Sequence, residues 1–240
     1  ADFEKPFFGR RILLSSAAIL SLIYPENEEY LHTAEELIWA ICDEYCWAVA
    51  AHTSGELSDD SKIIDLFTAE TAAALAEITA FLEKRLNKAT VCRVKAELER
   101  RVFEPLRSNS YFWEHGNNNW SAVCAGGVGI ALMYSDKKAA EEFMPRLIGA
   151  ADSCLASYTS DGTCLEGFTY WNYGFGYFVY FADMLYRFTD GRVDMLDNAH
   201  VQKTASYPQR SLMRGNSVVS FADAGQNDRA QGDLIYYLHR

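Results

Sequence analysis

The chain contains no run of basic residues. Its 22 Lys and Arg are outnumbered by 33 Asp and Glu, giving a formal charge of −11. Nucleic acid, which is held by clustered Lys and Arg neutralising phosphates, is therefore excluded as a partner. The same charge repels polyanions at long range, so an acidic polymer requires a cleft of locally positive potential. The six cysteines, at 42, 46, 92, 124, 154 and 164, form no CxxC pair and no Cys/His cluster of zinc spacing. Buried free thiols are the expected state, and neither a metal site nor a cofactor is expected. No apolar run reaches the length of a membrane span, so no membrane partner is expected. Strand patterning with a period of two is missing before residue 215, and Ser217 to Phe221 is the one short candidate after it. The fixed repeat period of the common solenoids is also absent.

What remains is helical. Its 240 residues, 49% of them hydrophobic, suit a single globular domain over 1–240. Apolar residues recur at helical spacing over 11–24, where Pro25 ends the pattern, and again over 28–49. A polar loop over 51–61 precedes a long helix over 63–86 with an alanine-rich face at Ala69, Ala72, Ala73, Ala74, Ala76 and Ala80. Small residues there allow helices to approach closely. Residues 87–106 are amphipathic, and the charges of Arg93, Lys95, Glu97, Glu99, Arg100 and Arg101 predict a solvated outer face. Residues 121–134 are apolar almost all round and carry Gly126, Gly127 and Gly129, as expected of a central helix in close backbone contact with its neighbours. Further helices are expected over 137–158, kinked at Pro145, over 166–188, and over 232–239. Inward helices alternate with outward, charged ones, a pairing that fits a solenoid or a closed toroid of helical hairpins, and the missing repeat period favours the toroid.

Two clusters carry the candidate chemistry. The first is Trp113-Glu114-His115-Gly116-Asn117-Asn118-Asn119-Trp120; the second runs from Asp161 to Gly174 and includes Glu166, Tyr170, Trp171 and Tyr173. Both set aromatic rings beside amides and hydroxyls at loop-to-helix junctions, where rings can platform sugar faces and polar groups can bind hydroxyls or carboxylates. One Asn suffices to cap the following helix, which leaves others free for a ligand. His52, in the loop over 51–61, is a further ligand candidate.

Three stretches, taken in order, resemble the heparinase II/III-like proteins. They are Ile64 to Ala72 preceded by His52, then Asn117-Asn118-Asn119-Trp120, then Asp161-Gly162 followed by Glu166 to Gly174. The likeness spans about 7–225. It implies an all-α, incomplete (α/α) toroid of paired inner and outer helices, the helical part of a longer chain whose β-sandwich domain follows. It further implies a polysaccharide lyase acting by β-elimination on a uronic-acid polysaccharide, and a secreted or periplasmic location. On the matching positions, Asn118 or Asn119 would neutralise the uronate carboxylate. Tyr173, or failing it Tyr170, would act as acid/base. Read from the two clusters and the loop over 51–61 themselves, His52, Trp113, His115, Asn117, Trp120, Glu166 and Trp171 are the candidates to contact an oligosaccharide. The chain departs from the family pattern where many members place a His directly beside the Asn; here His115 precedes the Asn run.

The chemistry asks for such groups. Removing the proton α to a carboxylate builds enolate charge that preorganised donors stabilise, and a phenol of pKa ~10 serves as base only if its anion is supported. Two other readings fit the residues: a glycoside hydrolase using Asp161, Glu166 or Asp183, and a non-catalytic glycan-binding domain resting on Trp120 and Trp171.

Overall fold

The computed structural model describes residues 3–53, 60–213, 217–225 and 227–239. All regular elements among them are helical, and the only strand-like pairings are the isolated bridges Tyr158 with Cys164 and Leu212 with Val218. The strand expected at Ser217 to Phe221 is therefore no more than one bridge. Ser54 to Asp59 of the expected polar loop lie outside the described residues.

Side-chain caps set the helix starts. Helices α1 (Glu4–Ile23) and α2 (Glu28–Cys42) form a hairpin, and Asn27 caps α2 by accepting the Glu29 N–H. Asp65 caps α3 (Leu66–Leu82), and Asn87 caps α4 (Lys88–Leu98), which runs through a π-helical turn at Glu99–Phe103 into α5 (Glu104–Ser108). Asn118 caps α6 (Asn119–Ser135) and Asp136 caps α7 (Lys137–Cys154). The short α8 (Phe168–Tyr170) passes through a second π-helical turn, Trp171–Phe175, into α9 (Gly176–Phe188). Then come α10 (Ala199–Ala205), capped by Asn198, α11 (Tyr207–Ser211) and α12 (Gly232–Leu238). In each capped case a short polar side chain satisfies an amide that the first helical turn leaves unpaired.

Helices α1, α3, α6 and α9 touch in that order as one layer, with α2, α4 and α7 packed behind α1, α3 and α6. The central helix is α6, as its glycines predict. A Cβ at Gly127 would lie 2.7 Å from the Ala69 carbonyl oxygen of α3, and one at Gly129 would lie 2.3 Å from the Phe181 ring of α9. Only hydrogen at these positions lets the three helices reach this separation.

Three expectations are corrected. The 87–106 segment is not wholly solvated, because Arg101 and Glu97 are buried and paired at 2.6 Å. Arg101 also donates to the carbonyls of Cys42, Glu44 and Tyr45, so this ion pair fastens the turn after α2 to the outer helix. The cysteines are all free, but Cys92 is exposed and Cys46 half-buried. Helix α1 starts at Glu4 rather than near residue 11, and its 20 residues are long and apolar enough, by length and composition alone, to cross a membrane. Here it lies on α2 and α3, burying Phe7, Leu14, Ala17 and Ala18, with Arg10 and Arg11 paired to Glu44.

Candidate active site

The N-terminus of α3 organises the first half of the site. Asp65, 1% exposed, accepts the Thr68 N–H at Oδ1 (2.7 Å) and the Val49 N–H at Oδ2 (3.3 Å). The same Oδ2 lies 2.7 Å from His52 Nδ1. The carboxylate only accepts, so a proton lies on Nδ1, and the neutral tautomer that fits this contact carries its lone pair on Nε2. The ring stacks on Phe67, centroids 5.6 Å apart and planes 3° apart, and meets Trp120 at 4.6 Å and 60°. His52 is thus fixed by one hydrogen bond and two aromatic neighbours.

Further along α3, Glu70 accepts the Tyr173 hydroxyl at Oε1, 2.6 Å, and also bonds Tyr177. Burial pushes the Glu70 carboxyl above its ordinary value, and the two phenols pull it back only in part. Burial and the facing Glu70 carboxylate push the Tyr173 phenol far upward. Tyr173 is therefore a proton carrier rather than a resting phenolate. It occupies the π-helical turn before α9, and a Cβ at the adjoining Gly174 would lie 2.9 Å from Asn119 Cβ, so glycine allows the turn to press against the start of α6.

At that start the Asn residues divide their work. The Asn118 side chain accepts the Trp120 N–H at 3.1 Å as the cap, while Asn119 is buried beside it. The Asn119 N–H bonds the Glu166 carboxylate, whose pKa is nonetheless raised by burial, with Asp223 adding to the rise.

His52, Asn118, Asn119, Trp120, Glu166, Tyr170 and Tyr173 all line one cleft of about 710 Å³. Four sequence candidates stand elsewhere. Trp113 and Trp171 are fully buried, and their indole N–H groups donate to the carbonyls of Ile64 (2.9 Å) and Thr204 (2.8 Å). They are core residues, not sugar platforms. His115 and Asn117 are exposed and do not line the cleft. Conversely Asp65, Phe67, Glu70 and Asp223 belong to the site without having been picked out individually; Asp65, Phe67 and Glu70 lie in the 64–72 stretch already singled out, and the cap at Asp65 is the signal that the sequence offers for them.

The cleft is acidic: Glu70, Glu166 and Asp223 face it, with no Lys or Arg among its described lining residues. The locally positive potential required for an acidic polymer is not supplied by these residues. What they offer is the Nε2 edge of His52, an amide at Asn119, two carboxyls raised above their ordinary value by burial, and a phenol tied to one of them. Comparison with protein-family models and with curated proteins finds no match.

Proposed function

We propose that this chain is a polysaccharide lyase domain, built as an incomplete (α/α) toroid, that cleaves a uronic-acid-containing polysaccharide by β-elimination. The observation that carries the reading is the convergence of His52, Asn119 and Tyr173, from three separate elements, on one cleft edged by Trp120. The ordered layer of α1, α3, α6 and α9 with partners behind it supports the toroid.

In this account the Asn119 amide and the positive end of the α6 dipole hold the uronate carboxylate and its developing enolate charge. Asn118 is committed to the cap, which leaves Asn119 as the neutraliser. His52 Nε2 takes the C5 proton, with Asp65 stabilising the imidazolium that forms. The C4–O4 bond breaks as the C4=C5 double bond forms, and O4 receives the Tyr173 proton. The Tyr173 oxygen regains its proton from water, with the Glu70 carboxyl 2.6 Å away as the relay. The upward bias of the Glu70 and Glu166 carboxyls limits their repulsion of the bound uronate.

The test is near-ultraviolet absorbance from the conjugated unsaturated uronate. Incubation of the native gene product with a panel of uronate polymers should generate it, and Asn119→Ala and Tyr173→Phe should each abolish it. Unchanged rates in both variants would remove these assignments. One observation favours a second reading, glycoside hydrolysis: Glu70 and Glu166 face the same cleft and both carboxyls are raised by burial, as a general acid must be. New reducing ends without absorbance would select it.

A further inference from the structure

Beyond Glu70 the cleft adjoins a second cavity of about 470 Å³, walled by α3, α6, α9 and α12, with Glu70 on the border of both. Three of its rings are set at steep angles to one another. Tyr180 stands 72° from Tyr177 at 6.1 Å and 72° from Tyr237 at 5.5 Å. Its carboxylates face phenols rather than cations: Glu77 accepts from Tyr134 (3.1 Å), Asp233 from Tyr180 (2.9 Å) and Glu70 from Tyr173 (2.6 Å). The one cation among the described lining residues, Arg187, is bound to Asp183 at 2.8 Å. Glu77 and Asp233 therefore have no cation partner among the described lining residues and stand beside the rings of Tyr177, Tyr180 and Tyr237, the combination that attracts an organic ammonium group through both Coulomb and cation–π terms.

Glu70 and Glu77 lie seven residues apart on one face of α3, about 10 Å along its axis. That is roughly two sugar rings, measured from the edge of the cleft outward. We propose that this cavity is an amino-sugar subsite, which takes the free, protonated amino group of a sugar unit adjoining the one held in the cleft. The proposal rests on the carbohydrate reading of the cleft and narrows it to a glycan with unacetylated hexosamine units. It also gives the acidic surroundings of the site a role, since a substrate carrying ammonium groups is drawn to them while a purely anionic polymer is repelled.

Isothermal titration with a tetramer of alternating β-1,4-linked uronate and glucosamine units and with its fully N-acetylated counterpart tests it. The amine form is expected to bind at least tenfold tighter. Glu77→Gln combined with Asp233→Asn should remove that preference while leaving the acetylated tetramer unaffected. The charge-matched pair Glu141→Gln and Glu142→Gln, on the exposed face of α7, should change neither affinity. Equal binding of both tetramers, or an equal loss in the α7 control, would overturn the subsite and leave the carbohydrate reading standing. Binding of neither tetramer would overturn both.

Discussion

The Tyr173 hydroxyl donates to Glu70 Oε1 at 2.6 Å, joining the π-helical turn before α9 to the middle of α3. This contact ties the proposed proton donor to a half-buried acid that can recharge it. Tyr173→Phe removes the proton path and leaves the ring in place. Activity should fall by at least ~100-fold, the scale of general acid catalysis, while stability drops by only about 1 kcal/mol for the lost hydrogen bond. Steady-state turnover and urea unfolding of the same preparation check the pair of effects.

Glu70 also gives the fold a pH dependence. Its carboxyl is raised above the ordinary 4.5 mainly by burial, so the native state favours the protonated form. The stabilisation from holding that proton is fully present below the unfolded value and is lost as pH rises through the folded one. Glu70→Gln, permanently neutral, should therefore melt at a higher temperature than the native chain above this window and match it in acid. Thermal melts across the pH range decide the matter; a variant less stable than the native chain at neutral pH would contradict the sign.

Asp65 does two jobs that a single substitution can separate. Asn at this position still caps α3 through its carbonyl oxygen, but its amide cannot accept the His52 Nδ1 proton. Stability to urea should fall by about 1–3 kcal/mol, because the buried Val49 N–H also loses its acceptor, whereas turnover of the folded variant should fall by about 100-fold as the imidazole loses its partner. Full turnover in the folded fraction would mean that Asp65 serves the fold alone.

The tryptophans separate core from cleft. Trp171→Ala empties a fully buried site and strands the Thr204 carbonyl, for an expected cost of about 3–5 kcal/mol. Trp120→Ala, on a half-buried ring beside His52, should cost about 1 kcal/mol and weaken oligosaccharide binding instead. Chemical denaturation and a binding titration on both variants test the division.

Much of this was legible in the sequence, for definite reasons. Helix positions followed from apolar periodicity, and the role of α6 from Gly126, Gly127 and Gly129, because a glycine cluster in an apolar helix has few other uses. The cleft assignments of Asn118, Asn119, Trp120, Tyr170 and Tyr173 came from local motifs that the fold keeps together. Trp113 and Trp171 sit in the same motifs but point into the core; a ring beside polar residues looks alike in either direction until the helix rotation is known. Glu70 was hidden for the opposite reason. On an alanine-rich helix one glutamate reads as solvated, and only the packing of the later π-helical turn against α3 brings Tyr173 to it. Arg101 misled similarly, since its burial depends on three carbonyls from the turn after α2.

The most direct measurement of the central claim is the mass of the oligosaccharide fragments released from a uronate polymer by the native gene product. Elimination leaves a new non-reducing end lighter by one water than hydrolysis does. The account predicts that lighter series, and its disappearance in Tyr173→Phe. Fragments of hydrolytic mass would contradict β-elimination and transfer the chemistry to Glu70 and Glu166.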